Sequence, residues 1–100
     1  MKITVTQKHI DDGVACSVHR CPVALAIEDT NFIESGQSLS VGVTFASIRV
    51  SGDIYKTCDI PDKASESIRY YDQHGFMEPF DFEIEWETKS PIFNDDPNAM

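Results

Sequence analysis

The chain has 100 residues, 41% of them apolar, and a formal net charge of −9. That length suits one domain with a single core, and the apolar share is too high for general disorder. So large an acidic excess excludes ordinary binding to nucleic acid or to an anionic membrane, both of which require basic surface, and favours a partner that is itself basic.

Ile3 and Val5 alternate with Lys2, Thr4 and Thr6, the pattern of a half-buried first strand. Asp11-Asp12-Gly13 reads as a turn, and a loop through Cys16 and His19 follows. Residues Cys21 to Asp29 predict a short helix. Pro22 falls in its first turn, where the missing N–H costs nothing. Apolar residues surround its axis, so it should be buried. Thr30 to Ser40 is polar, holds Gly36 and three serines, and reads as a loop. Val41, Val43 and Phe45 then alternate, but Ile48 and Val50 continue on the opposite parity. A bulge or bend near Ala46-Ser47 is therefore expected. Ser51-Gly52-Asp53 is a turn into a second extended piece, Ile54 to Cys58, and the two strands should form a hairpin. A second helix opens at Pro61, with Asp62 near its cap. It carries Ala64, Ile68 and Tyr71 at i, i+4, i+7 and stops at Gly75.

The last element is the most regular. From Phe80 to Glu87, four apolar residues alternate with Asp81, Glu83, Glu85 and Glu87. Successive strand side chains point to opposite faces, so one straight strand is predicted, with Phe80, Phe82, Ile84 and Trp86 inward and the acids outward. Burying the four apolar side chains is worth roughly 6–12 kcal/mol gross. Same-face carboxylates about 6.7 Å apart repel by only about 0.6 kcal/mol per pair in water, so burial wins. From Asp72 onward the chain carries seven of the nine excess negative charges. The segment 90–100 is expected to be a loose tail. The fold expected for residues 1–89 is a single α+β domain. Its antiparallel sheet has about four strands, with two helices on one face. The order β-α-β-β-α-β matches the ferredoxin-like arrangement.

No apolar run approaches a membrane span, and the N-terminal residues lack the apolar core of a signal peptide. An intracellular setting with reduced thiols is expected, and three cysteines fit poorly with a disulfide framework. Cys16, His19 and Cys21, with Cys58 as a fourth ligand, match no standard zinc module. No metal and no cofactor is expected. Cys21 should cap or precede the helix and Cys58 should sit in the sheet. Cys16 and His19 are near in sequence without a defined geometry, His9 and His74 are isolated, and the carboxylates lack a burial signal that would raise a pKa. A non-enzyme is expected.

The pattern Ile3-Thr4-Val5-Thr6-Gln7, His9-Ile10-Asp11 and Gly13, followed by Cys21-Pro22-Val23-Ala24-Leu25-Ala26, resembles small proteins of unassigned function encoded by tailed bacteriophages. Ile60-Pro61, Ile68, Asp72 and Glu78-Pro79-Phe80-Asp81-Phe82-Glu83 extend the resemblance over roughly residues 1 to 87. It implies a phage accessory protein in the cytoplasm of a bacterial host and brings no catalytic mechanism.

These readings combine into one principal expectation. The protein binds a host protein with a basic surface through the acidic strand face Asp81, Glu83, Glu85 and Glu87, with Asp72 and Glu78 nearby in sequence; action against host defence is its narrower form. A first alternative is a small anionic ligand, such as a nucleotide signal, held at the N-terminus of the first helix by His19 and Arg20. A second is a minor virion structural or assembly protein. Tyr70, Tyr71, Phe76 and Met77 cluster at the end of the second helix and leave self-association open; of these, Tyr71 and Phe76 are expected in the core and Tyr70 at its rim.

Overall fold

The computed structural model describes residues 1–89; the expected loose tail, 90–100, lies outside the described residues. The elements in chain order are β1 (Lys2–Val5), α1 (Gln7–Asp12), α2 (Pro22–Glu28), β2 (Ser38–Val41), β3 (Phe45–Ser51), β4 (Ile54–Asp59), α3 (Asp62–His74), β5 (Phe80–Glu83) and β6 (Glu87–Lys89). The α+β class holds, with helices and antiparallel strands around one core. The details differ from the expected order. The strands form two sheets, β1-β5 and β2-β3-β4-β6, so the ferredoxin-like topology does not describe the chain.

One element was not anticipated. In place of a bare turn after β1, α1 starts at a reciprocal cap. Thr6 Oγ1 accepts the His9 N–H at 3.4 Å, and His9 Nδ1 accepts the Thr6 N–H at 3.0 Å. Histidine fills the place that Glu or Gln normally takes in such a box. The i, i+4 pairs Gln7–Asp11 (2.9 Å) and Lys8–Asp12 (2.8 Å) support the helix surface. Gly13 ends it. A Cβ there would lie 2.7 Å from the Pro22 ring, so the join between α1 and α2 has no room for a side chain.

The predicted helix at Cys21 is α2. The Cys21 thiol is its N-cap, Sγ accepting the Ala24 N–H at 3.4 Å, and Val23, Ala24, Ala26 and Ile27 are buried, as its all-round apolar surface requires.

The parity switch has a different cause from the one expected. Val41 closes β2 opposite Ala46 of β3, and the Gly42 N–H donates to Phe45 O at 2.9 Å. The switch is a tight hairpin between two strands. Inward Leu39 and Val41 belong to one strand and inward Ala46 and Ile48 to the next. A register irregularity does occur, between Arg49 and Ser51, just before the β3–β4 hairpin that the sequence anticipates.

Helix α3 follows its stripe. Ala64, Ile68 and Tyr71 are buried, and Gly75 ends the helix in the left-handed region at φ 72°, its N–H on Tyr71 O at 2.7 Å. The Tyr71 hydroxyl donates toward Ile10 O (3.2 Å) and Gly13 O (3.0 Å), tying α3 to α1.

The segment from Phe80 to Glu87 is not one straight strand. β5 pairs with β1 from Val5↔Phe80 to Lys2↔Glu83. The pairing runs one step further, since the terminal ammonium donates to Ile84 O (2.8 Å) and the Ile84 N–H to Met1 O (2.9 Å). The chain then crosses to the second sheet, where β6 pairs with β4, Thr57 opposite Glu87. The in–out alternation survives the crossing: Phe82 and Ile84 are buried, Phe80 and Trp86 half-buried, and the acids exposed. Both sheets present the same side to the core, so the side-chain period continues while the hydrogen-bonding partner changes.

Candidate functional site

Splitting the last strand rearranges its acids. On the β1–β5 ribbon, Asp81 and Glu83 stand across from Thr4 and Lys2. Lys2 Nζ lies 3.6 Å from Asp81 and the terminal ammonium 3.6 Å from Glu83, while Lys89 lies 3.6 Å from Glu87. These separations exceed the 2.7–2.9 Å or so of a strong charge-assisted hydrogen bond, and all the groups but the terminal ammonium are well exposed, so neutralisation by the chain's own cations is weak. Glu85 has no ion pair among the described residues.

Beyond Ile84 the chain meets the end of β4. Glu85, Glu87 and Asp59 line a concavity of about 270 Å³ together with Glu83, Ile84 and Met1. The same three acids line an adjoining one of about 180 Å³ together with Lys89. The register explains why. Thr57 faces Glu87, so two residues further on, Asp59 lies toward Glu85. Four carboxylates from two sheets therefore share one junction with two cations, the terminal ammonium and Lys89. Asp59 was missed by sequence reasoning, because its neighbours in space come from a strand almost thirty residues away.

The other two acids of the expected face are elsewhere. Asp72 Oδ1 accepts the Cys16 N–H at 2.8 Å and Asp72 O receives the Cys16 thiol at 3.6 Å. Cys16 sits at φ 61°, a conformation that a non-glycine residue holds only when its surroundings fix it. Asp72 thus fastens the loop before α2. Glu78 lines a separate groove beside α3, about 380 Å³ in volume, with Glu66, Tyr70, Phe76 and Phe80. Phe76 is exposed there, not in the core, whereas Tyr71 and Met77 are buried.

The residues of the expected anion site are committed to structure. His19 Nδ1 lies 2.7 Å from Leu39 O; a carbonyl only accepts, so Nδ1 carries the proton. With the Val41 N–H on Val18 O (2.8 Å), this loop closes the free edge of β2. The Arg20 side chain faces a surface lined by Asp12, Glu28 and Asp29, with Lys8. The Asp12 carboxyl is held below its ordinary range, first by its hydrogen bond to Lys8 and only in small part by Arg20. At the start of α2, Cys21, Pro22, Val23 and Ala24 are all buried, so no open row of N–H groups faces solvent.

The cysteines lie on three separate segments. Cys16 is exposed, Cys21 caps α2, and Cys58 is buried in β4, where loss of solvent pushes its thiol up to about 11. Among the described residues no group of three or more His, Cys, Asp or Glu side chains is placed to hold a metal ion.

One histidine cluster was unforeseen. His9 is buried, and its Nε2 lies 2.5 Å from Asp29 Oδ2. Because Nδ1 accepts from the Thr6 backbone, the ring proton is on Nε2 and is donated to Asp29. Thr6, His9 and Asp29 repeat the order hydroxyl, imidazole, carboxylate of a hydrolytic triad. Here the acceptor nitrogen already holds a backbone N–H, and the arrangement ties the start of α1 to the C-cap of α2. Thr6 and His9, three apart, were the only available sequence signal.

No helix among the described residues is long and apolar enough to cross a membrane. No family model matches the chain, nor does any curated protein or solved structure.

Proposed function

We propose that the protein is a non-enzymatic binding module that occupies a basic surface of a partner protein with its acidic junction. The observation that carries the proposal is the convergence of Asp59, Glu83, Glu85 and Glu87 on one concave surface, where the described residues set the terminal ammonium, Lys89 and, across from Glu83, Lys2 against them. Asp81 continues the surface along β5. Clustered like charge on a low-dielectric wall focuses the field and speeds encounter with opposite charge. The partner assigned is a host protein of a phage-infected bacterium, with action against host defence as the narrower form. Both assignments rest on the resemblance of roughly residues 1 to 87 to small phage-encoded proteins.

The test pairs capture from bacterial lysate with a charge-neutral variant carrying Asp59→Asn, Glu83→Gln, Glu85→Gln and Glu87→Gln. These positions are exposed, so the fold should be retained. A partner retained by the native chain should bind about tenfold or more weakly when salt is raised from low to several hundred millimolar, and the variant should not retain it even at low salt. A partner whose affinity ignores both salt and the four substitutions overturns the assignment of this surface.

A further inference from the structure

We infer that the groove between α3 and the segment 76–80 is a binding site for a guanidinium group, presented by an arginine in an exposed segment of a partner protein. The groove follows from helix geometry. Lys63, Glu66, Ser67 and Tyr70 stand at i, i+3, i+4 and i+7, one face of α3, about a third of a turn round the helix from the buried stripe of Ala64, Ile68 and Tyr71. The left-handed turn at Gly75 then brings Phe76 to Phe80 back along that outward face.

Its walls are aromatic and are held in place. Phe76 is 55% exposed and Tyr70 52%. The rings meet edge to face, 6.3 Å apart with planes at 77°, so they form a corner. Tyr70 is backed by His74 at 4.3 Å, and Phe80 by Phe82 at 5.5 Å. An exposed ring buttressed in this way presents a fixed, electron-rich face, to which cations are drawn. The chain already uses that chemistry at one wall, where Lys63 Nζ lies 5.9 Å from the Phe80 centroid. No lysine or arginine lies over the Tyr70–Phe76 corner among the described residues; the ionisable imidazole of His74 lies behind Tyr70.

Charge complementarity selects the occupant. Glu66 and Glu78 line the same groove, two carboxylates against the single ammonium of Lys63. A guanidinium is flat, weakly hydrated and forked. It stacks on a ring while its N–H groups reach carboxylate oxygens, which a compact, strongly hydrated ammonium does less well. The inference stands apart from the acidic junction, since the two surfaces share no residue.

The probe is a capped arginine dipeptide, titrated at low salt into the full chain while the aromatic ring resonances are followed by NMR. Its control is the capped citrulline dipeptide, equal in shape but uncharged. The arginine probe should shift the Tyr70 and Phe76 rings saturably, and citrulline should bind about fivefold or more weakly. Phe76→Ala, and separately Glu66→Gln with Glu78→Gln, should each weaken the arginine probe about threefold or more. The four-acid junction variant should leave these shifts in place, which separates failure here from failure there. Equal binding of citrulline makes the groove merely apolar and overturns the inference. So do the absence of saturable shifts and affinity unaltered in both groove variants.

Discussion

Phe32 and Trp86 stack at 5.7 Å with planes 17° apart, and Lys56 sets its ammonium 4.8 Å from the Phe32 centroid. Tyr70 and Phe76 meet at 6.3 Å, edge to face, with Lys63 over the neighbouring Phe80. The parts are alike: an aromatic pair and a lysine. The first cluster is half-buried against the core and ties the chain crossing at 84–86 to the loop before β2. The second packs the same kinds of side chain into a surface that the described residues leave open. Leaving two large rings about half exposed forgoes roughly 1 kcal/mol for each side chain, about half of what full burial supplies. The first cluster therefore serves the fold, and the second is the more informative about binding.

That division can be broken by truncation. Trp86→Ala should cost about 2–4 kcal/mol in urea denaturation, a little below the usual penalty for a fully buried tryptophan because the ring is half-buried. Phe76→Ala should change stability by less than about 0.5 kcal/mol. Comparable losses at the two positions would show that Phe76 is a structural residue, and the distinction between the clusters would fail.

A finer test sets Asp72 against Glu78, neighbours in sequence that were both assigned to one acidic face. Asp72 holds the Cys16 N–H at 2.8 Å in a strained loop; Glu78 lies on the open groove. Cys16 is exposed, so water takes up the freed N–H and Asp72→Ala should cost the net value of the bond, about 0.5–1.5 kcal/mol. Glu78→Ala should stay within about 0.5 kcal/mol. Equal, small effects at both positions would return Asp72 to the pool of free surface acids.

The same contrast explains what the sequence could and could not reveal. Helices α2 and α3, strand β1 and the β3–β4 hairpin are announced locally: Pro22 at a helix start, Gly75 at a helix end, Gly52 in a two-residue turn. The β2–β3 connection, Gly42-Val43-Thr44, offers a single glycine as its turn signal beside two residues that favour strands, so its parity change resembled a bulge. Helix α1 hides behind a histidine in a capping position. The break between β5 and β6 carries neither Gly nor Pro, and a period of two cannot report a change of partner strand. The acidic junction was half legible. Glu83, Glu85 and Glu87 could be found by alternation, but Asp59 enters only through the register of β4 with β6, and Asp72 leaves only through a contact with Cys16 across fifty-six residues. Exposure of Phe76 is likewise set by the path after Gly75, not by its type.

The smallest expected effect sharpens the comparison most. The Trp86 indole Nε1 is buried without a hydrogen-bond partner among the described residues, and an unpaired buried donor costs about 1–3 kcal/mol. Trp86→Phe keeps a ring stacked on Phe32 and removes that donor, at the loss of some apolar contact area worth a similar amount. The two terms oppose each other, so the urea midpoint should move by less than about 1 kcal/mol equivalent at unchanged slope. If the cluster is held by ring packing, Phe suffices and Ala does not. A loss with Phe approaching that with Ala would mean that the indole N–H has an acceptor and that a polar contact, not stacking, fastens the chain where it passes between its two sheets.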